Sequence, residues 1–263
     1  MEKPGIQKVV ILGSGNLARH MGRWMSDSGI HIMQVFSRSP LQGEALAHEL
    51  ACDFTNRLDL LVEDADLYLL AVSDDAIAVL LRQALFSRRH LVVHSAGSIP
   101  LNVFTGRAKN YGVLYPLQTF TRERNLDYSN IPIFIEANNP ANLHRIEHLA
   151  NRLSPRVYKV DSEKRAYLHL AAVIASNFTN HMLALAEKFL QEKNLAFDLI
   201  KPLVQETIAK ALSLTPVQAQ TGPAVRGNRE IIEKHMAMLD NHPEIKELYR
   251  VVSESIAAFR SDE

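Results

Sequence analysis

Two hydrophobic periods divide the chain. Up to about residue 160, short unbroken apolar runs alternate with stretches whose apolar residues recur every three or four positions. KVVIL (8–12), HIMQVF (31–36), DLYLLAV (66–72) and HLVVH (90–94) are such runs, and YGVLYPL, IPIFIEA and RVYKVD continue the series. Runs without polar alternation suit strands buried on both faces, as in a parallel sheet. Between them, Leu17, Met21, Trp24 and Met25 form a helical stripe that Gly29 ends. PLQGEALAHEL, AIAVLLRQAL and NPANLHRIEHLANRL are read as further helices. Ser39, Pro40 and Gln42 predict a capping box for the first of these, SDD (73–75) caps the second, and Asn139 with Pro140 opens the third. Strand and helix in alternation with short links predict an α/β fold with a doubly wound, mostly parallel sheet.

Beyond residue 160 no strand pattern continues. One helix of about thirty residues is expected from Ser162 to Asn194, then three shorter ones in AFDLIKPLVQETIAKALS, NREIIEKHMAML and PEIKELYRVVSESIAAF. The expected organisation is a sheet domain over 1–160 and an all-α domain over 161–263.

Charge narrows the partners. Lys plus Arg (29) equals Asp plus Glu (29), which leaves no basic excess for nucleic acid or an anionic membrane. Cys52, the single cysteine, has no partner for a disulfide within the chain. It reads as a small buried hydrophobe in a reducing compartment, and a cytoplasmic protein is expected. The apolar run Val9–Leu12 reads as a strand, not a leader, since Gly13 and Gly15 follow at once. No metal site is expected.

The candidate chemistry begins at GSGNLA, where Gly13, Gly15 and Ala18 form the G-x-G-x-x-A version of the dinucleotide fingerprint. Gly13 permits the tight turn, Gly15 admits a pyrophosphate to the backbone, and the following helix offers unpaired N–H donors. Ser14, Asn16 and Leu17 share this turn, and Val72 and Ser73 are counted on the same cofactor side. At the end of the second strand, where an NAD site holds Asp or Glu, stand Ser37, Arg38 and Ser39. A guanidinium and two hydroxyls suit a 2′-phosphate, so NADP is the expected cofactor. Ser39 also serves as a helix cap. HSAG (94–97) follows HLVVH at the carboxyl end of its strand, where ligands sit in open α/β sheets. It makes His94 and Ser95 candidates for the substrate or the nicotinamide carboxamide.

From Ala166 through Ala186 the long helix carries no Asp, Glu, Lys or Arg. Leu168, Ala171, Ala175, Phe178, Met182, Leu185 and Phe189 form one predicted stripe. His169, Ser176 and Asn180 lie roughly opposite, with Asn177 to one side. A polar face without charges points at a ligand or makes hydrogen bonds between helices in a core. It does not cross a membrane, because ASNFTNH would set five polar groups at the costliest depth. In QTGPAVRGNREII, Gly222–Pro223 makes a turn, Asn228 a cap, and Thr221 and Arg226 remain for chemistry or anion binding, a solvated Arg226 being the alternative.

Taken together, LGSGNLA, AVSDDAI, VVHSAGS, YPLQTF, ASNF and TGPAVRGN resemble, over nearly the whole chain, bacterial Rossmann-like NADP-dependent oxidoreductases with a C-terminal helical domain of unknown function. More distantly the chain is similar to pyrroline-5-carboxylate reductase, deazaflavin-dependent NADP reductase and the β-hydroxyacid dehydrogenases. The resemblance implies a long central helix beside the nicotinamide and a homodimer assembled through the helical half. Two positions depart from it. Asn177 matches the dehydrogenase Asn, but Val173 stands where those enzymes hold the general-acid Lys, and Tyr115 stands where the family usually has His before Pro-Leu-Gln-Thr-Phe.

The expected function is transfer of a hydride between NADP and a small C=O or C=N substrate. His94, Ser95, Asn177 and Thr221 are the catalytic candidates, and Gln118, Asn180 and Arg226 the substrate-binding ones. A non-catalytic NADP-binding sensor or scaffold is the alternative.

Overall fold

The structure, a computed structural model, describes residues 5–84 and 86–259. The chain forms two compact units that divide between Ser176 and Asn177.

The first unit opens with β1 (Lys8–Leu12), α1 (Asn16–Asp27), β2 (His31–Phe36), α2 (Pro40–Glu49) and β3 (Asp53–Thr55). It continues with β4 (Leu67–Leu70), α3 (Asp74–Gln83), β5 (Leu91–His94), β6 (Asn110–Pro116), β7 (Ile133–Ala137), α4 (Pro140–Leu153) and β8 (Val157–Lys159). These strands make one eight-stranded sheet in the order β3-β2-β1-β4-β5-β6-β7-β8. Neighbours pair parallel except β6 with β7. The first six strands follow the doubly wound Rossmann order, whose direction of winding reverses between β1 and β4.

Strand parity sorts the core into two layers. Val9 and Ile11 of β1, Leu67 and Leu69 of β4, and Leu91 and Val93 of β5 pack with Met21, Met25, Leu46, Ile146 and Leu149 from α1, α2 and α4. Val10, Leu12, Tyr68, Leu70 and Val92 face the other way, onto Ile77, Leu80 and Leu81 of α3 and onto Phe104. Burial on both faces is why these strands read as unbroken apolar runs.

Three local expectations change. The edge strand β3 was not expected, because its residues DFT set one apolar position between two polar ones; it forms by pairing with β2. Ser73 is the N-cap of α3 without a side-chain cap bond, and the capping box at Ser39 is not made: Ser39 is the N-cap, but its hydroxyl accepts no helical N–H. Its own N–H instead donates to Ser37 Oγ at 3.2 Å. Asn139 does cap as expected, accepting from Asn142 N at 2.9 Å. Of the helix expected through Leu85, α3 ends at Gln83, and Leu85 lies outside the described residues.

The long helix runs as α5 (Ser162–Ala172), a π-helical turn (Val173–Phe178) and α6 (Thr179–Glu192). The π turn holds an extra residue per closed ring, so residues after it are rotated relative to a uniform helical wheel. The stripe expected from Leu168 to Phe189 is not covered as one face: Leu168, Leu185 and Phe189 are half-buried, while Ala171, Ala175, Phe178 and Met182 are exposed. The period changes at residue 160, yet the compact units divide later. The cause is packing by α5, whose Leu168 joins Val113, Tyr115 and Phe134 of the sheet.

The second unit contains α6, α7 (Lys201–Ser213), the short α8 (Pro216–Ala219), α9 (Arg229–Met238) and α10 (Pro243–Phe259). A Thr215–Gln218 capping box opens α8, and Asn228 caps α9 by accepting from Ile231 N at 3.2 Å.

Candidate active site

The turn after β1 is built around Gly13. Its φ of +132° lies where side-chain-bearing residues are strained, and a Cβ there would stand 2.1 Å from the Ala71 carbonyl oxygen. Its N–H donates to Phe36 O at 2.8 Å, tying the turn to the end of β2. A Cβ on Gly15 would meet nothing within 4 Å, so this glycine opens space in front of α1. The first turn of α1 has no side-chain cap and no acidic residue, leaving its N–H groups and the positive end of its dipole free for an anion.

In front of this turn lies a cleft of about 580 Å³. All ten residues expected on the cofactor side line it: Gly13, Ser14, Gly15, Asn16, Leu17, Ser37, Arg38, Ser39, Val72 and Ser73. Phe36, Gln42, Ala71, Ala76, Val79, Leu80 and Gln83 complete the wall. Phe36 ends β2, Ala71 follows β4, and the rest come from α2 and α3, outside the fingerprint that the sequence displays. Ser14 Oγ and Ser37 Oγ lie 2.7 Å apart, joining the lips of β1 and β2. No carboxylate lines the cleft, and its one charged side chain is Arg38. Arg38 is exposed, and among the described residues its guanidinium has no hydrogen bond or ion pair.

At the end of β5, His94 is fully buried. Parity puts it on the Val92 face, where its ring stacks on Phe104 at 5.4 Å. Its Nδ1 accepts from Ala96 N at 3.2 Å, so the neutral ring carries its proton on Nε2. Burial, assisted by nearby Arg165, lowers its pKa to about 3. His94 Nε2 and Ser95 Oγ are both buried without a hydrogen-bond partner. Gln118, after β6, is exposed and its Oε1 accepts from Thr119 N at 2.8 Å.

The loop that carries Gln118 is pinned to α1, an arrangement the sequence did not signal. Asn16 Nδ2 donates to Phe120 O at 3.1 Å. His20 lies 3.0 Å from Thr121 O through Nε2 and 2.8 Å from the Tyr128 hydroxyl through Nδ1. Trp24 stacks on Tyr128.

The first turns of α5 complete this end of the sheet. Arg165 is buried, its guanidinium paired with Glu136 of β7 and donating to Ile99 O at 2.6 Å. One turn on, His169 Nδ1 lies 3.1 Å from the Tyr115 hydroxyl. Burial raises the pKa of Tyr115 to about 12. A Cβ on Gly97 would stand 2.7 Å from the His169 ring, so glycine at that position makes room for the imidazole.

The remaining candidates belong to the helical unit. Asn177 and Asn180 are exposed on the π turn and the start of α6. Thr221 and Arg226 are exposed in the turn before α9, where Gly222 and Gly227 both have positive φ.

Comparison with known families matches residues 8–97 to the coenzyme F420-dependent NADP oxidoreductases. Residues 131–256 match a domain of unknown function, DUF2520. No curated protein matches the chain. Among solved structures, a candidate NADP oxidoreductase from Bacteroides fragilis is 41% identical, with 96% of this chain and 98% of that one covered at a TM-score of 0.92. The 1-pyrroline-5-carboxylate reductase of Streptococcus pyogenes is 13% identical (95% and 98% covered, TM-score 0.64). An imine reductase from Myxococcus stipitatus, solved with NADP+, is 19% identical (95% and 92% covered, TM-score 0.63). The last two share the fold. With 41% identity across almost the entire length of both chains, and the cleft formed where the family's nucleotide site is expected, this chain belongs to the Rossmann-fold NADP oxidoreductases that carry a C-terminal domain of unknown function.

Proposed function

We propose that the protein is an NADP-dependent oxidoreductase acting on a small C=O or C=N substrate in the cytoplasm. The observation that carries this reading is the cleft at the winding reversal, which has an uncapped helix N-terminus at one end and an unpaired arginine, with no carboxylate, at the other. The N–H groups of α1 suit a pyrophosphate, and Gly15 leaves the backbone bare for it. Arg38 suits a 2′-phosphate, which a carboxylate at the same place would repel. The bound nicotinamide supplies the hydride chemistry, and the protein supplies orientation and protons. His94 Nε2 and Ser95 Oγ, two buried polar atoms without partners, are suited to hold a polar group of the nicotinamide or substrate. Asn177, Asn180, Thr221, Arg226 and Gln118 are the proposed polar contacts to substrate. The C=N option draws support from the names of two fold neighbours, an imine reductase and a pyrroline carboxylate reductase.

Fluorescence titration with NADPH and NADH tests the reading. Charge-assisted hydrogen bonds to the 2′-phosphate contribute about 1.5–3 kcal/mol, so NADPH is expected to bind about 10- to 150-fold more tightly. Arg38→Ala should remove most of that margin. Equal affinities in the wild type would overturn the NADP assignment.

A non-catalytic NADP-binding protein is the second reading. Val173 favours it, because no lysine stands at the position of the dehydrogenase general acid.

A further inference from the structure

The geometry points to His169 as the catalytic proton donor of this oxidoreductase, with Tyr115 as the residue that orients it. The inference rests on the proposed reading and names the acid that the reading leaves open.

Adding hydride to a C=N or C=O carbon leaves its nitrogen or oxygen in need of a proton. Reduction therefore requires an acid near the carboxyl ends of the central strands. His94 does not suit the role, because its ring is sealed against Phe104 and stays neutral until strongly acidic pH. In the charge-free stretch Ala166–Ala186, the histidines are His169 and His181, and His169 is the one in the sheet unit.

The surroundings of His169 hold its ring in one orientation. The imidazole fills the space that a side chain at residue 97 would occupy, against the strand exit that carries His94 and Ser95. Tyr115 pairs with Nδ1 at 3.1 Å. The ring is half-buried, and among the described residues Nε2 has no hydrogen-bond partner. One nitrogen is thus anchored and the other left for a ligand, the arrangement by which a second group fixes the tautomer of a working histidine. The titratable and charged groups around the pair are Arg165 on the same helix, neutralised by Glu136 of β7, then Asp74 of α3 beside Tyr115, and the neutral His94.

The proton balance follows from this pairing. As the imidazolium, His169 donates Nδ1–H to the Tyr115 oxygen and presents Nε2–H outward. Hydride from the reduced nicotinamide, when the cofactor is bound, would account for the two electrons and the hydrogen added to the substrate carbon. His169 Nε2 gives its proton to the nitrogen or oxygen as the π bond is lost. The neutral ring keeps its proton on Nδ1, still bonded to Tyr115, and regains the other from solvent.

Two measurements on the full chain test the inference. In histidine-labelled protein, the imidazole resonance absent from His169→Asn identifies His169, and NADP+ should shift it. Turnover is followed as NADPH oxidation with 1-pyrroline and with glyoxylate. His169→Asn should lower kcat by about 10²-fold or more while NADPH affinity stays within about twofold of wild type. Tyr115→Phe keeps the imidazole and should move the pH profile of kcat instead of abolishing turnover. A His169 resonance indifferent to bound NADP+ would overturn the inference and leave the cofactor reading intact. So would wild-type kcat in His169→Asn. Failure of NADP+ to bind would overturn the cofactor reading itself, and the inference with it. If neither probe is reduced, the resonance decides.

Discussion

His94 is buried at the end of β5, and its burial holds the ring neutral. At the end of an apolar run it reads as a ligand-facing donor; strand parity stacks its ring on Phe104, where water cannot reach it, and leaves Nε2 without a hydrogen-bond partner. A base whose folded pKa is lowered from 6.5 to about 3 takes up a proton in the unfolded chain before it does so in the folded one. Its contribution to stability is therefore fully present above about pH 6.5 and is lost as pH falls toward 3. At pH 5 the loss is about 2 kcal/mol, from 1.5 pH units at 1.36 kcal/mol each. Urea unfolding at pH 8, 6 and 5 should show the wild type losing this much more than His94→Asn, which keeps an acceptor for Ala96 N. A difference between the two that does not change with pH would show that the ring is not held neutral.

At the scale of elements, α5 is fastened to the sheet by a buried ion pair. Asp161 caps the helix by accepting from Lys164 N at 2.8 Å, and one turn later Arg165, 1% exposed, meets Glu136 and Ile99 O. Breaking such a pair from one side leaves an uncompensated charge, which costs about 3–5 kcal/mol. Arg165→Ala should lower the unfolding free energy of the sheet unit by about this much. Adding Glu136→Gln should restore part of it, because the stranded carboxylate is removed. Additive losses in the double-mutant cycle would show that the two side chains are not coupled. This pair and the packing of Leu168 on the sheet keep α5 within the sheet unit. The change of hydrophobic period marks where strands stop, whereas unit membership depends on which helical turns find partners.

The helical unit, taken as a whole, has almost no interior of its own. Its buried residues among those described are Ala219, Ala224 and Leu239. Leu203, Leu212 and Met238 are exposed by 67%, 82% and 60%, and Phe178 and Leu199 are exposed as well. Monomeric proteins rarely leave so many large apolar side chains in water, and a second copy offers a surface of the same chemistry. We propose a homodimer through this unit. Light scattering at micromolar concentration should report about twice the chain mass of 29.5 kDa, and Leu203→Glu with Met238→Glu should shift the protein toward the monomer. A wild-type monomer would refute the arrangement.

Much of this protein is set by local sequence. Unbroken apolar runs, helical stripes and the fingerprint glycines depend on neighbours a few residues apart, so the doubly wound sheet, the long helix and the ten cleft-lining residues from Gly13 to Ser73 were legible without coordinates. The third strand left no signal because Asp53, Phe54 and Thr55 make no apolar run. The π turn at Val173–Phe178 escaped because one extra residue in a ring leaves no trace in composition, yet it rotates every side chain beyond it. Contacts between distant segments were settled by tertiary structure alone. Residues 115 and 169 meet across 54 positions, and His20 reaches Tyr128 across 108. Pattern along a chain reports which face of an element is apolar. Which partner that face or a polar side chain meets is decided only when the elements pack.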